Sequence, residues 1–230
     1  MQLLKVADIA VQVSYKPIKN VHLSVHPPDG RVTISSPEHI ALDKLKVYLL
    51  TKLQWIRKER KKIITQPRET EKLYITRESH YLFGKRYLLK ITYSVKGTKV
   101  LLHHSTIEIL LPKPFDAIAK QKALHKWYRQ QLALKLDALV DKWRRIIGVN
   151  PSGYTIRTMK TKWGSCSDKS GRLNFNLELV KKPIECIEYI VVHELMHFLR
   201  RHHDKDFIAL MNQYLPNWQL RKKNLNELPV

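Results

Sequence analysis

The chain has 230 residues and a formal net charge of +22, with 43% apolar and 9% aromatic residues. That is enough apolar material for a packed interior, which excludes wholesale disorder, and seven glycines with eleven prolines exclude a fibrous or low-complexity chain. The basic excess is spread evenly, 20 Lys and Arg against 9 Asp and Glu over residues 1–112 and 22 against 11 over 113–230, which excludes a basic tail.

The N-terminal part is strand-rich. Val21–His26 alternates apolar and polar residues, Pro27-Pro28-Asp29-Gly30 supplies a turn, and Arg31–Ser35 resumes the alternation, which together predict a hairpin. Leu42, Leu45, Leu49, Leu53 and Ile56 then fall at helical spacing, predicting a helix between about Glu38 and Ile64. The basic run Arg57–Lys62 reads as the solvated end of that helix rather than a recognition element. Strand-like stretches follow at Tyr81–Tyr93 and Val100–Leu111, with Gly84 and Gly97 where turns or bulges fall. Pro112 and Pro114 mark a change of pattern, so the expected division is a strand-rich region over 1–112 and a second domain over 113–230. No internal repeat is visible.

Asp116–Ile147 reads as one long helix, stopped by Gly148 and Pro151. A strand at Tyr154–Met159, a loop at Lys162–Asp168 and an alternating strand at Arg172–Val180 come next. Pro183 suits the first turn of a helix, and Ile184 to about Arg200 is apolar on most sides, the mark of a buried helix. A last helix is expected from Asp204 to Tyr214, with Phe207, Leu210, Met211 and Tyr214 on its core stripe. Two cysteines, Cys166 and Cys186, exclude a disulfide framework and suit a reducing compartment. Neither a signal peptide nor a membrane-spanning segment is evident, so the expectation is a cytoplasmic protein without membrane association.

The buried helix carries His193-Glu194-Leu195-Met196-His197. Histidines one helical turn apart share a face and converge on one ion, while the glutamate beside the first is placed to take a proton from water rather than to ligate. Zinc needs neutral nitrogen donors and an open position, which this set supplies. His203, six residues after His197, is the expected third ligand, at the spacing of metzincin sites. His202 and Asp204 stand beside it as rivals. No glutamate lies between Glu194 and Glu227, which leaves a thermolysin-type third ligand without a candidate. Metzincins place glycine midway between the second and third ligands, where this chain has Arg200, so the helix is expected to run on past His197. Met211 and Cys166 read as core packing residues.

The run Arg157-Thr158-Met159-Lys160-Thr161-Lys162-Trp163-Gly164-Ser165-Cys166, then Leu173–Leu177, then Tyr189–His197 and Arg201-His202-His203, resembles the YgjP-like metallopeptidase family, which is similar to SprT/Spartan and WLM proteases. The resemblance is dense over about residues 150–225 and looser before them. Where family members often have Asn-His at the third ligand, this chain has His202-His203. It implies zinc, peptide hydrolysis, a protein or peptide substrate and an α+β fold whose zincin-like core follows the strand-rich part. In such folds an edge strand beside the helix receives substrate, and the strand from Leu173 is the expected one. Arg157, Lys160, Trp163, Gly164, Ser165, Asn174 and Asn176 are candidate substrate-binding residues; Arg157 and Lys160 either stabilise an oxyanion or pair with a buried acid. The rival reading is a basic nucleic-acid-associated protein, with DNA-linked proteolysis of the SprT type as its hybrid form. A third is a non-catalytic metal-binding scaffold, against which Glu194 argues.

Overall fold

A computed structural model describes residues 2–26, 29–65, 72–94, 97–167 and 169–227. Pro27 and Pro28 of the expected hairpin turn, and Asp168 of the expected loop, lie outside these. The fold is mixed α+β, in two compact units, Met1–Pro67 and Arg68–Val230.

In the first unit, β1 (Gln2–Val6), β2 (Ile9–Tyr15), β3 (His22–His26) and β4 (Arg31–Ser36) form one sheet in the order β1-β2-β4-β3, with two antiparallel hairpins joined by a parallel β2/β4 pair. Val11, Val13, Val32 and Ile34 alternate onto one face and are sealed by Leu45 and Leu49 of α1 (Leu42–Thr51) and Ile56 of α2 (Leu53–Thr65). The single helix expected here is interrupted at Lys52, whose N–H is shared between the carbonyls of Tyr48 and Leu49. Part of the basic run has local work: Arg57 pairs with Asp8 and Arg60 donates to the carbonyl of Gly30.

The second unit opens with β5 (Ser79–Leu82), β6 (Lys85–Tyr93), β7 (Lys99–Leu102) and β8 (Thr106–Leu111), in the order β5-β6-β8-β7 with β6 and β8 parallel. This is the topology of the first sheet over again, and a helix follows each. The repeat is thus real at the level of topology although none is visible in the residues. Alternation and turns specify such a module, and different residues satisfy both: the first hairpin turns on Ala7-Asp8, the matching one on Phe83-Gly84, with φ of 50° and 82°.

Helix α3 (Ala117–Ile147) starts where Asp116 accepts the N–H of Ala119 and stops at Gly148, left-handed at φ 78°. Its Leu124, Trp127 and Leu132 share one core with Ile107, Ile109 and Leu111 of β8. The boundary expected at Pro112 therefore falls inside this unit, because neither the sheet nor α3 buries its apolar face without the other. A three-stranded sheet follows, β9 (Gly153–Arg157), β10 (Gly164–Ser167) and β11 (Arg172–Asn176), in the order β10-β11-β9. The strand expected to reach Val180 stops at Asn176, and Leu177–Lys181 is a buried 3-10 turn. Against it docks the β5–β6 hairpin, through Phe83 N–H to Val180 O (2.7 Å) and Gly84 N–H to Lys181 O (3.1 Å); a Cβ on Gly84 would lie 2.9 Å from the Pro183 ring.

Pro183 leads into α4 (Ile184–Met196), followed by α5 (Lys205–Tyr214) and α6 (Trp218–Glu227), the last not expected from the sequence. Glu188 on α4 binds Trp143 Nε1 and Lys142 of α3 and Arg221 of α6. Burial raises its pKa, but these donors outweigh burial and bring it down to about 2. One carboxylate thus pins α4 between two helices. No helix among the described residues is long and apolar enough to cross a membrane.

Candidate metal centre

Helix α4 delivers His193 and Glu194 from its last turn, and His197 is its C-cap, with φ −64° and ψ −16°. The helix ends there, not near Arg200. The N–H groups of Leu199 and Arg200 both bond the Met196 carbonyl at 2.9 Å, so the chain leaves the helix without a left-handed residue and needs no glycine. Arg200 then pairs with Asp206 on α5 at 2.9 Å, which holds the turn against the next helix.

The turn brings His203 back over α4. Ligand nitrogens of His193, His197 and His203 all lie within 4.8 Å of one another, and their ring centroids are 4.8 to 5.0 Å apart. His202 is not in this group. Asp204 is occupied as the N-cap of α5, accepting the Phe207 N–H at 3.0 Å. That cap seats the Phe207 ring against all three imidazoles, with centroids 4.7 to 5.1 Å away, as an apolar floor.

The protonation states suit a metal. Burial, then the neighbouring His197 and His203, push His193 down to about 3, and burial with His197 lowers His203. Both are neutral donors near pH 7. His197 Nδ1 lies 3.2 Å from the Arg200 carbonyl, which assigns its proton to Nδ1 and leaves Nε2 as the lone pair. His193 Nε2 and His203 Nε2 are 3.0 Å apart, while His193 Nδ1 is buried with no hydrogen-bond partner. Zinc–imidazole bonds of about 2.0–2.1 Å bring ligand nitrogens into this range of separations, so the donor set fits a zinc ion.

Glu194 is buried against β10. A Cβ on Gly164 would stand 2.7 Å from Glu194 Oε1 and 2.8 Å from its Cγ, so only glycine lets the strand approach this closely. The Cys166 N–H donates to the carboxylate. Burial lifts the Glu194 pKa to about 7 against the opposing pull of Lys162 and that N–H.

The register shows how β10 offers this contact. Asn176 N–H bonds the Trp163 carbonyl at 2.9 Å, so 163, 165 and 167 exchange bonds with β11, whereas Gly164 and Cys166 turn their N–H and C=O groups outward. The edge strand beside α4 is therefore β10. The strand from Leu173 expected in that place is the middle strand of its sheet, because the predicted loop at Lys162–Asp168 supplies a strand of its own.

The remaining sequence candidates divide by position. Asn174 accepts from Thr155 Oγ1 at 2.7 Å and donates to Ser165 Oγ at 3.2 Å, bracing the three strands. Asn176, buried, donates to the carbonyls of Met159 and Lys162 and so shapes the loop entering β10. Trp163 packs with the Lys182 ammonium 5.1 Å over its ring. Arg157 is exposed and bonds Thr155; Lys160 is exposed; neither pairs with a buried acid among the described residues. Sequence reading passed over Lys162, Phe207 and an aromatic wall in which Tyr189 meets His193 at 5.8 Å and stacks on Trp218. Tyr189 was findable, four residues before His193 on the same helical face. Phe207 was read as core, and Trp218 lies on the helix that was not expected.

The family model described as YgjP-like, metallopeptidase domain matches residues 19–228. Among solved structures the chain is similar to the metallopeptidase zymogen of Methanocaldococcus jannaschii jannalysin, at 25% identity over 40% of this chain and 87% of that one, with a TM-score of 0.37. It is also similar to the metallopeptidase zymogen of Pyrococcus abyssi abylysin, at 20% identity over 39% and 90%, with a TM-score of 0.37. No curated protein matches the chain.

Proposed function

The chain belongs to the YgjP-like metallopeptidase family, and from that premise we propose that it is a zinc endopeptidase in which His193, His197 and His203 hold the metal and Glu194 is the general base. The observation that carries this is the convergence of ligand nitrogens from His193, His197 and His203 within 4.8 Å of one another, with the buried Glu194 next to His193 on α4. Zinc held there supplies Lewis acidity, polarising the peptide carbonyl and acidifying water.

The protein's own groups do the rest. Glu194, with a pKa near 7, accepts a proton from the attacking water on its carboxylate and returns it to the leaving amine, so no acyl-enzyme forms. The Cys166 N–H orients that carboxylate, and Gly164 lets it lie against the strand. The outward N–H and C=O of Gly164 on β10 suit an extended chain added antiparallel or parallel to this strand, and an edge strand accepts a chain continuing in both directions, which favours internal cleavage. Three imidazoles also suit other transition metals, and zinc is preferred for hydrolysis at a site with an open position. The free thiols Cys166 and Cys186 agree with a reducing, cytoplasmic setting. Nucleic-acid binding finds no support in the family or in the chemistry of the site.

The test is metal analysis of purified wild-type and His203→Ala protein, paired with digestion of an unbiased peptide library. One zinc per wild-type chain with internal cleavage is expected, and loss of both in the variant. Full metal loading and unchanged digestion by His203→Ala would remove this residue from the site.

A further inference from the structure

The rim of the metal centre is lopsided in charge. From Gly153 to Ser167 there are three cations, Arg157, Lys160 and Lys162, and no acidic residue; Phe198–His203 adds Arg200 and Arg201 and again no acid. The next two acids are committed, Asp204 as a helix cap and Asp206 to Arg200. From the other side α6 contributes Lys222, whose ammonium lies 5.7 Å from the Trp218 ring centroid, and Trp218 stacks on the Tyr189 that abuts His193. Lys162 lies two residues before the Gly164 that abuts Glu194, and Lys222 caps the Trp218–Tyr189 wall that reaches His193, so each lysine is tied to a different side of the site. Lys160, Lys162 and Lys222 are exposed, and no described carboxylate pairs with them. Exposed lysines with no described carboxylate partner favour ligands of opposite charge.

Building on the peptidase reading above, we propose that this site takes protein or peptide segments with acidic side chains beside the scissile bond, received by Lys160 and Lys162 at the β10 edge and by Lys222 on α6. Lys162 precedes Gly164 by two residues, about 6.6 Å along an extended chain, so the acidic residue belongs one or two positions from the bond that is cut. A peptide fits better than a nucleic acid. The outward carbonyl of Gly164 suits a donor, which a peptide backbone carries and a phosphodiester backbone lacks. The cations also converge on one centre from separate elements instead of forming a stripe.

The experiment has two arms: cleavage of matched peptides differing only in Glu, Ala or Lys beside the cut site, and anisotropy of the same peptides on zinc-loaded Glu194→Gln protein. Wild type should favour the Glu peptide by about tenfold in kcat/KM over Ala, as expected for two or three exposed pairs, with the preference shrinking as salt rises. In Lys160→Glu/Lys162→Glu, with zinc content unchanged, the order should invert toward the Lys peptide. Equal cleavage of all three by wild type, or an acidic preference surviving that charge reversal, overturns the inference and leaves the peptidase reading intact. Tight Glu-peptide binding with no cleavage of any peptide by zinc-loaded wild type overturns the peptidase reading and leaves the acidic site. An oligonucleotide that displaces the Glu peptide at a lower concentration than the peptide itself assigns the rim to nucleic acid and overturns the proposal.

Discussion

The two halves of the metal centre are built to different standards. His193 and Glu194 sit on a helix whose neighbours are almost all buried, pinned through Glu188 to α3 and α6 and pressed against β10 at a distance only glycine allows. His203 hangs from an exposed turn held by two bonds to the Met196 carbonyl, the Arg200–Asp206 pair and the Asp204 cap. On the function proposed above, the rigid half sets where chemistry occurs, and the looser half closes the ligand set over it. Such a division suits a centre that must be preorganised at its base yet open to a long substrate.

Breaking the rigid half should cost most. His193→Ala should lower zinc affinity by more than about 100-fold, since a donor held on the rigid helix is lost outright, whereas Asp204→Ala should lower it several-fold at most; equal losses in a competitive zinc titration would erase the contrast. Next in size is Glu188→Ala, which leaves Arg221 largely buried without its carboxylate and should cost roughly 3 kcal/mol in denaturant unfolding. The same residue gives a pH signature. Its folded pKa, about 2, lies below the ordinary value of 4.5, so the stability it contributes is fully present above pH 4.5 and is lost as pH falls toward 2. Glu188→Gln should flatten that acid limb, and an unaltered limb would assign acid unfolding to other carboxylates.

Gly164→Ala tests the seam between β10 and α4. With the added methyl inside 3 Å of Glu194, peptide hydrolysis should fall by about 10- to 100-fold while zinc content stays near one. Wild-type rates in that variant would show that the carboxyl has room to move aside. The smallest effect belongs to the looser half: Asp204→Ala should lose about 1 kcal/mol of stability through the vacated cap, read as a modest drop in Tm.

The same contrast explains what was legible in the sequence. The rigid half announces itself by periodicity: α3 with its Asp116 and Gly148 ends, and the apolar helix bearing His193, Glu194 and His197, can be read from spacing and capping residues. The helix end could not, because hydrophobicity continues through Phe198 and Leu199 while the helix ends at Met196, whose carbonyl takes both the Leu199 and Arg200 N–H groups. Strand β10 was hidden because Gly164-Ser165-Cys166-Ser167 has the composition of a loop and becomes a strand only by pairing with β11. The edge was consequently assigned to the wrong strand. Helix α6 is mostly polar, with Leu225 as its buried anchor, so no amphipathic pattern marks it. The choice of His203 over His202 rested on spacing, and it is the turn after His197 that sets which imidazole faces the helix.

The most direct measurement is peptide hydrolysis by Glu194→Gln protein carrying verified stoichiometric zinc. The account predicts a metal-replete protein at least about 100-fold slower than wild type, because the ligands are untouched and the proton acceptor is gone. Hydrolysis at the wild-type rate with full zinc would contradict Glu194 as the base.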